Sequence, residues 1–279
     1  MIDLVRPAIV QISATIVPKT NSDRERLGGK PHSSQPLGTG FFVSDSAHVL
    51  TAQHVMGGVR GLVSDWPDSE VNVGVGLALP NTESMRANFN IIPFEVVEED
   101  ERHDLALLRM TANPFKGEVA PVIAIDDQSI SGMSGVPALQ SDRPRDGESI
   151  AISGYPLGET VLVTNTGIVA SSWSVTIDEI AHPVFSDVNV PQVRDTYLAD
   201  VQTNPGNSGG PVYASRDGGI IGVLVAGKLT DVVAGEASVI VNGQPLRADA
   251  GLSLVVPIKY GTAMLDKHGV KWTGAARAI

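Results

Sequence analysis

A histidine, an aspartate and a serine are enough for acyl-transfer chemistry, provided each has a setting that activates it. A serine hydroxyl is a weak nucleophile, so it needs a base to take its proton, and the base needs a partner to hold it in orientation. Ser208 lies in TNPGNSGGPVY, Thr203 to Tyr213. Gly206 precedes it by two positions and Gly209 and Gly210 follow it. Backbone of this kind can turn sharply, approach a ligand closely and leave N–H groups unpaired with other backbone. Donors aimed at a developing oxyanion need such a pre-set backbone, and the N–H groups of Gly206 and Ser208, on either side of Asn207, could both point to one spot. On composition alone, a Gly-rich stretch with Asn and Ser is equally a plain turn.

The candidate base is His54. It ends a stretch in which Phe41-Phe42-Val43 and then Val49-Leu50-Thr51-Ala52 should pair as buried strands, and it stands where they give way to Met56-Gly57-Gly58. That is the edge of a core, where a base could face a cleft. The candidate orienting group is Asp104 in HDLALLRM, at the entrance to an apolar strand. A carboxylate is costly to bury there unless something donates hydrogen bonds to it, and a histidine ring is a natural donor. A solvated Asp capping a strand is the commoner case for an isolated residue. The acidic run Glu98, Glu99, Asp100, Glu101 just before it reads as a wet loop of that kind.

These residues need a scaffold, and the chain is suited to one made of strands. Short apolar runs rich in Val and Ile recur between Gly, Pro, Asn and Asp: AIVQISATIV, GTGFFVS, VNVGVGLAL, FNIIPFEVV, SIAISGYP, TVLVTNTGIVASSW, GIIGVLVAG and LSLVVPI among them. Helical spacing is scarce, and one terminal helix is expected over YGTAMLDKH, Tyr260 to His268. With 279 residues, many short strands suggest two barrels or sandwiches. The polar, Gly- and Pro-rich stretch from Gln128 to Glu148 is the expected linker, dividing the chain into 1–135 and 136–279.

Composition removes several alternatives. Acidic residues number 31 against 20 basic ones, with no dense Lys or Arg run to neutralise phosphates, so nucleic acid is not expected as a partner. There is no cysteine, which excludes disulfides, thiolate catalysis and Cys-ligated metal. His32, His182 and His268 are scattered without metal-ligand spacing, so neither a metal nor any other cofactor is expected. No apolar run approaches the roughly 18 to 20 residues that span a bilayer, and no membrane association is expected. Asp3, Arg6 and Pro7 interrupt what would be the apolar part of a signal peptide. The expectation is a soluble, cytoplasmic chain as written, and a periplasmic or secreted one if a leader was trimmed.

The order His, Asp, Ser, with about fifty residues in the first gap and about a hundred in the second, completes a pattern. Together with GTGFFVS, LTAQHV, HDLALLRM, GYPLG, TNTGIV, DVQTNPGNSGGPVY, GIIGVLVAG and LSLVVPI in sequence order, it resembles the trypsin-fold serine proteases, specifically their HtrA/Deg-like bacterial branch. The resemblance runs from about residue 5 to residue 265. It implies an all-β fold of two antiparallel six-stranded barrels with a short C-terminal helix. It also implies a serine endopeptidase acting on proteins or peptides, with Ser208 as nucleophile, His54 as general base and then acid, and Asp104 fixing the imidazole. Gly206, Asn207 and Ser208 would form the oxyanion hole. Gln202, Thr203, Val225, Ala226 and Gly227 would wall the specificity pocket. No charge appears among these five, so an uncharged, small to medium P1 residue such as Val, Ala, Leu or Thr is expected. His48 is expected at the surface or at a strand end, and His103 on the opposite face of a strand with no catalytic part.

Departures from the family pattern also carry information. Gln53 adjoins the base where relatives have a small residue, and Asn207 replaces the Asp that pairs with a new N-terminus in digestive enzymes of this fold. Control by loop ordering is then expected, with 177–195 the candidate loop. Segments 60–70 and 112–146 look longer than a minimal protease core needs. HtrA proteins usually add PDZ modules, and none is expected here. A homo-oligomer is left open. The alternative reading is a catalytically latent protease-fold binding or regulatory module whose oxyanion loop is ordered by a partner or ligand; ester or amide hydrolysis of a non-peptide is a third.

Overall fold

The computed structural model describes residues 2–77, 91–116, 135–159, 161–172, 175–176, 193–234, 237–241 and 244–275. The expected regulatory loop therefore falls outside the described residues except for 193–195, as does the linker before residue 135.

The Val- and Ile-rich runs form strands. In the first half these are β1 (Ile9–Val17), β2 (Ser33–Phe42), β3 (His48–Ala52), β4 (Glu70–Leu77), β5 (Ile91–Ile92), β6 (Phe94–Asp100) and β7 (Leu105–Met110). They make one antiparallel sheet in the order β5-β4-β1-β2-β3-β7-β6, with Ile9 opposite Phe41 and Leu50 opposite Leu107. Six strands closed into a barrel were expected here; the sheet has seven and is not closed by hydrogen bonds among the described residues. Its edge strand β5 pairs only Ile91 and Ile92 with β4 and stops at Pro93, which has no N–H to extend the ladder.

The second half is the closed six-stranded barrel that was expected. Its strands are β8 (Ser149–Gly154), β9 (Val163–Ser171), β10 (Tyr197–Asp200), β11 (Pro211–Ala214), β12 (Ile220–Asp231) and β13 (Arg247–Pro257), in the order β10-β13-β12-β11-β8-β9. Period-two alternation sorts their side chains. Ile150 and Ile152 of β8 and Val212 and Ala214 of β11 fill the barrel, while Ala151 and Tyr213 between them join the core shared by the two halves. The buried Tyr213 hydroxyl is satisfied by Ser153, 2.8 Å away. That shared core runs from Phe41, Leu50 and Leu107 through Tyr155, Val223 and Val256 to Met264 and Leu265.

Two helices matter for the site: α1 (Gln53–Asp65) and α2 (Ile258–Lys267). The terminal helix was expected; α1 was not, nor were the short helices Ile2–Val5 and Asn21–Arg26. The long segment 60–70 is the second half of α1 and the turn into β4. Trp66 there lies under the Arg26 guanidinium, 3.9 Å from its ring centroid. No helix among the described residues is long and apolar enough to cross a membrane.

Candidate active site

His54 is the second residue of α1, two residues past the end of β3. α1 has no side-chain cap of its own at Ala52, and its first N–H groups would be orphans. Asp104 supplies the acceptors from fifty residues away. Its carbonyl accepts from Gln53 N–H (3.1 Å), and its carboxylate Oδ1 accepts from His54 N–H (2.8 Å). The other oxygen, Oδ2, lies 2.8 Å from His54 Nδ1. A negative charge at a helix N-terminus is favourable in its own right. An ionised carboxylate only accepts, so this bond places a proton on Nδ1, and a neutral ring bonded in this way has its lone pair on Nε2. The Asp104 side chain is 7% exposed and that of His54 34%, so the pair is anchored inside and open on the imidazole side.

Ser208 arrives on the loop between β10 and β11, and its glycines are required by contact. Gly206 has φ 101°, and a Cβ there would fall 2.3 Å from Tyr155 O; at Gly209, φ 84°, it would fall 2.1 Å from Thr39 O. Only a residue without a Cβ fits either place. The loop is fastened to the first sheet through Thr39 of β2, a fully buried residue. Thr39 N–H donates to Ser208 O (2.9 Å) and its hydroxyl donates to Gly206 O (2.6 Å). The same hydroxyl accepts from Tyr155 N–H (3.0 Å), and Thr39 O accepts from the Thr51 hydroxyl (2.7 Å). A Cβ on Gly209 would also lie 2.8 Å from Ala52 N, so the Ser208 loop rests on the residue that directly precedes the helix of His54.

The structure thus brings His54 and Asp104 into direct contact and seats the Ser208 loop against Thr39 and the end of β3. No hydrogen bond joins Ser208 Oγ to the imidazole among the described residues; such bonds are often long until substrate is bound. Asn207 is buried, and its N–H closes the turn on Asn204 O (3.0 Å). The N–H groups of Gly206 and Ser208 donate to no protein acceptor among the described residues.

The five residues expected to wall a pocket separate. Thr203 is buried with its hydroxyl 2.8 Å from Ser253 Oγ, and Gly227, paired with Ser253 across β12 and β13, lies against the same hydroxyl. Ala226 is half-buried. Val225 sits at a bulge in β12 and belongs to the shared core. Gln202 is exposed, and its carbonyl accepts from Asn165 Nδ2 (2.7 Å). Sequence reasoning missed Ser253 and Thr39. The first is the one hydroxyl in the apolar run LSLVVPI, and the second stands between the glycines of GTGFF.

Two other histidines also had expected places. His48 stands at a strand end, as the first residue of β3, and is buried there, its Nδ1 3.0 Å from the Ser46 hydroxyl and 3.3 Å from that of Ser44. Burial first, and then the Arg109 and His268 charges, lower its pKa. His103 is in the turn before β7, not on the strand. Among the described residues no group of three or more His, Asp and Glu could hold a metal ion.

A closed β-barrel packed against a second sheet, with a His–Asp pair on one and a Gly-rich serine loop on the other, is the arrangement of the trypsin-like fold. The family model for the trypsin-like peptidase domain matches residues 38–223, and the chain belongs to that family. It is 26% identical over 196 residues to a probable periplasmic serine endoprotease, DegP-like, from Pseudomonas fulva, covering 70% of this chain and 30% of that protein. It is 28% identical over 227 residues to a putative serine protease HhoB from Synechocystis, covering 81% and 38%. The chain therefore spans about a third of the length of these relatives. Among solved structures, the Rv3671c protease of M. tuberculosis in its active form superposes with TM-score 0.56 at 18% identity, covering 98% of this chain and 86% of that one. The HtrA-type protease AlgW with a decapeptide gives TM-score 0.56 at 18% identity, covering 96% and 67%. At that identity the two show likeness of fold.

Proposed function

We propose that the chain is a serine endopeptidase that cleaves peptide bonds of protein substrates through an acyl-enzyme. The observation that carries this reading is the pair of hydrogen bonds between Asp104 and His54, at the backbone N–H and at Nδ1, 2.8 Å each, an arrangement suited to the tautomer a base requires. In the first step Nε2 takes the Ser208 proton as Oγ attacks the carbonyl carbon, and the N–H groups of Gly206 and Ser208 receive the charge on the former carbonyl oxygen. The imidazolium, steadied by Asp104, then gives its proton to the leaving amine as the C–N bond breaks. Water repeats the sequence on the ester, with His54 again as base, and releases the acid and free Ser208.

The residues expected to wall the pocket, Gln202, Thr203, Val225, Ala226 and Gly227, carry no carboxylate, and the buried hydroxyls of Thr203 and Ser253 bond each other. A Lys or Arg side chain would lose its hydration there without a counter-charge. The P1 residue is therefore small to medium and uncharged, such as Val, Ala, Leu or Thr.

Labelling by a fluorophosphonate at neutral pH tests the reading. The native chain should label, and Ser208→Ala and His54→Ala should not. With a peptide substrate, loss of either residue should cost about 10³ to 10⁶-fold in kcat. A native chain that neither labels nor cleaves would sink the proposal.

A further inference from the structure

Asp104 meets His54 from an unfavourable backbone. Its φ of 55° lies in the left-handed region that residues with a Cβ avoid. Both carboxylate oxygens are committed to His54, so the carboxylate does not hold its own turn. The residue before it does. The N–H and Nδ1 of His103 both engage the Asp100 carboxylate, at 3.1 and 2.6 Å. The His103 ring lies flat on Tyr260 of α2, with centroids 3.7 Å apart and planes 17° from parallel. Tyr260 is fixed in turn, its hydroxyl donating to Asp195 Oδ2 at 3.1 Å. Asp195 also holds Lys259 and, at 2.6 Å, Arg143. It directly follows the two-residue strand Val193–Arg194, which pairs with Val175–Thr176. A line of contacts thus leads from the second half of the chain, through the C-terminal helix, to the residue that precedes Asp104. The proposed reaction uses none of these groups.

We propose that His103 and Tyr260 are positioning residues: their stack clamps the turn 101–104 so that the Asp104 carboxylate meets the imidazole, and Asp195 keeps the tyrosine ring in place. The proposal rests on reading His54 and Asp104 as a catalytic pair, but its test does not. Loosening the clamp acts on the orientation of the imidazole and leaves Thr203, Gly227 and Ser253 untouched. It should therefore lower kcat and spare KM.

The readout is the strongly deshielded proton on His54 Nδ1, followed by NMR in histidine-labelled protein together with its exchange with water. Tyr260→Leu and His103→Asn each remove one ring of the stack; Tyr260→Phe keeps the stack and drops the bond to Asp195. In the first two the resonance should broaden or vanish, and kcat should fall roughly 10- to 100-fold, the scale of an ångström-level misplacement, with KM within about twofold. Rings that keep the stack should do better, so Tyr260→Phe should retain the resonance and exchange it several-fold faster. A folded Tyr260→Leu or His103→Asn with native resonance, exchange and kcat overturns the proposal, and so does unchanged exchange in the isosteric Tyr260→Phe. A native protein without peptidase activity, whose resonance is nevertheless lost in Tyr260→Leu, would overturn the peptidase reading and keep the clamp.

Discussion

His48 and His54 stand six positions apart, one opening β3 and the other just past its end in α1, and the fold gives them opposite surroundings. His54 has a carboxylate on one nitrogen and solvent near the other. His48 is enclosed, its pKa lowered from 6.5 by burial and then by the charges of Arg109 and His268, with only the hydroxyls of Ser44 and Ser46 at its Nδ1. The unfolded chain therefore binds this proton more readily than the folded one. The neutral ring contributes its full stability above about pH 6.5, and that contribution is lost as pH falls through 6.5 toward the lower folded value. Melting temperature measured from pH 8 to 5 should decline on the acid side for the native protein and decline less for His48→Gln. Parallel profiles would show that another group governs the loss.

At the scale of elements, the serine loop depends on a strand from the other half of the molecule. Thr39→Val keeps the shape of the side chain but removes the acceptor for Tyr155 N–H, a buried bond, and the donor to Gly206 O, a part-buried one. Leaving such groups unsatisfied should cost about 2 to 4 kcal/mol of unfolding free energy, read as a fall in denaturant midpoint. A change under about 0.5 kcal/mol, the size of an ordinary surface substitution, would mean that the loop is held by other contacts. The strands were legible because β-branched runs between Gly and Pro have few other uses, and the serine loop because its glycine spacing has a steric cause. α1 was not legible. Gly57, Gly58 and Gly61 weaken its helical pattern, and the group that caps it, Asp104, lies fifty residues on. Thr39 and Ser253 escaped for a related reason: each gains its importance from a neighbour across a sheet or a cleft, and nothing in the adjacent sequence announces it. The extra strand, β5, is two residues long among the described residues, below what an apolar run can signal.

At the scale of the whole molecule, α2 closes the second half onto the first. Its polar ties are Lys267 Nζ and His268 Nε2 on Glu98, at 2.7 and 2.6 Å. Lys267 is 65% exposed, and a pair of that kind adds little. Leu265, with no exposed surface, belongs to the core shared by both halves and decides the matter. Leu265→Ala should lower the unfolding free energy by about 2 to 5 kcal/mol. Fluorescence and circular dichroism should move to the lower midpoint together; a transition that splits in two would show that the halves are independent.

The bond from Thr39 to Ser208 spans most of the chain, and it bears on timing. As the polypeptide leaves the ribosome, His54 and Asp104 are made first and Ser208 long after. The Ser208 loop is tied to β2 through Thr39. On the proposed reading, a half-made chain would therefore hold a histidine and an aspartate with nothing to activate, and the ability to cut would arrive only once that loop has met β2.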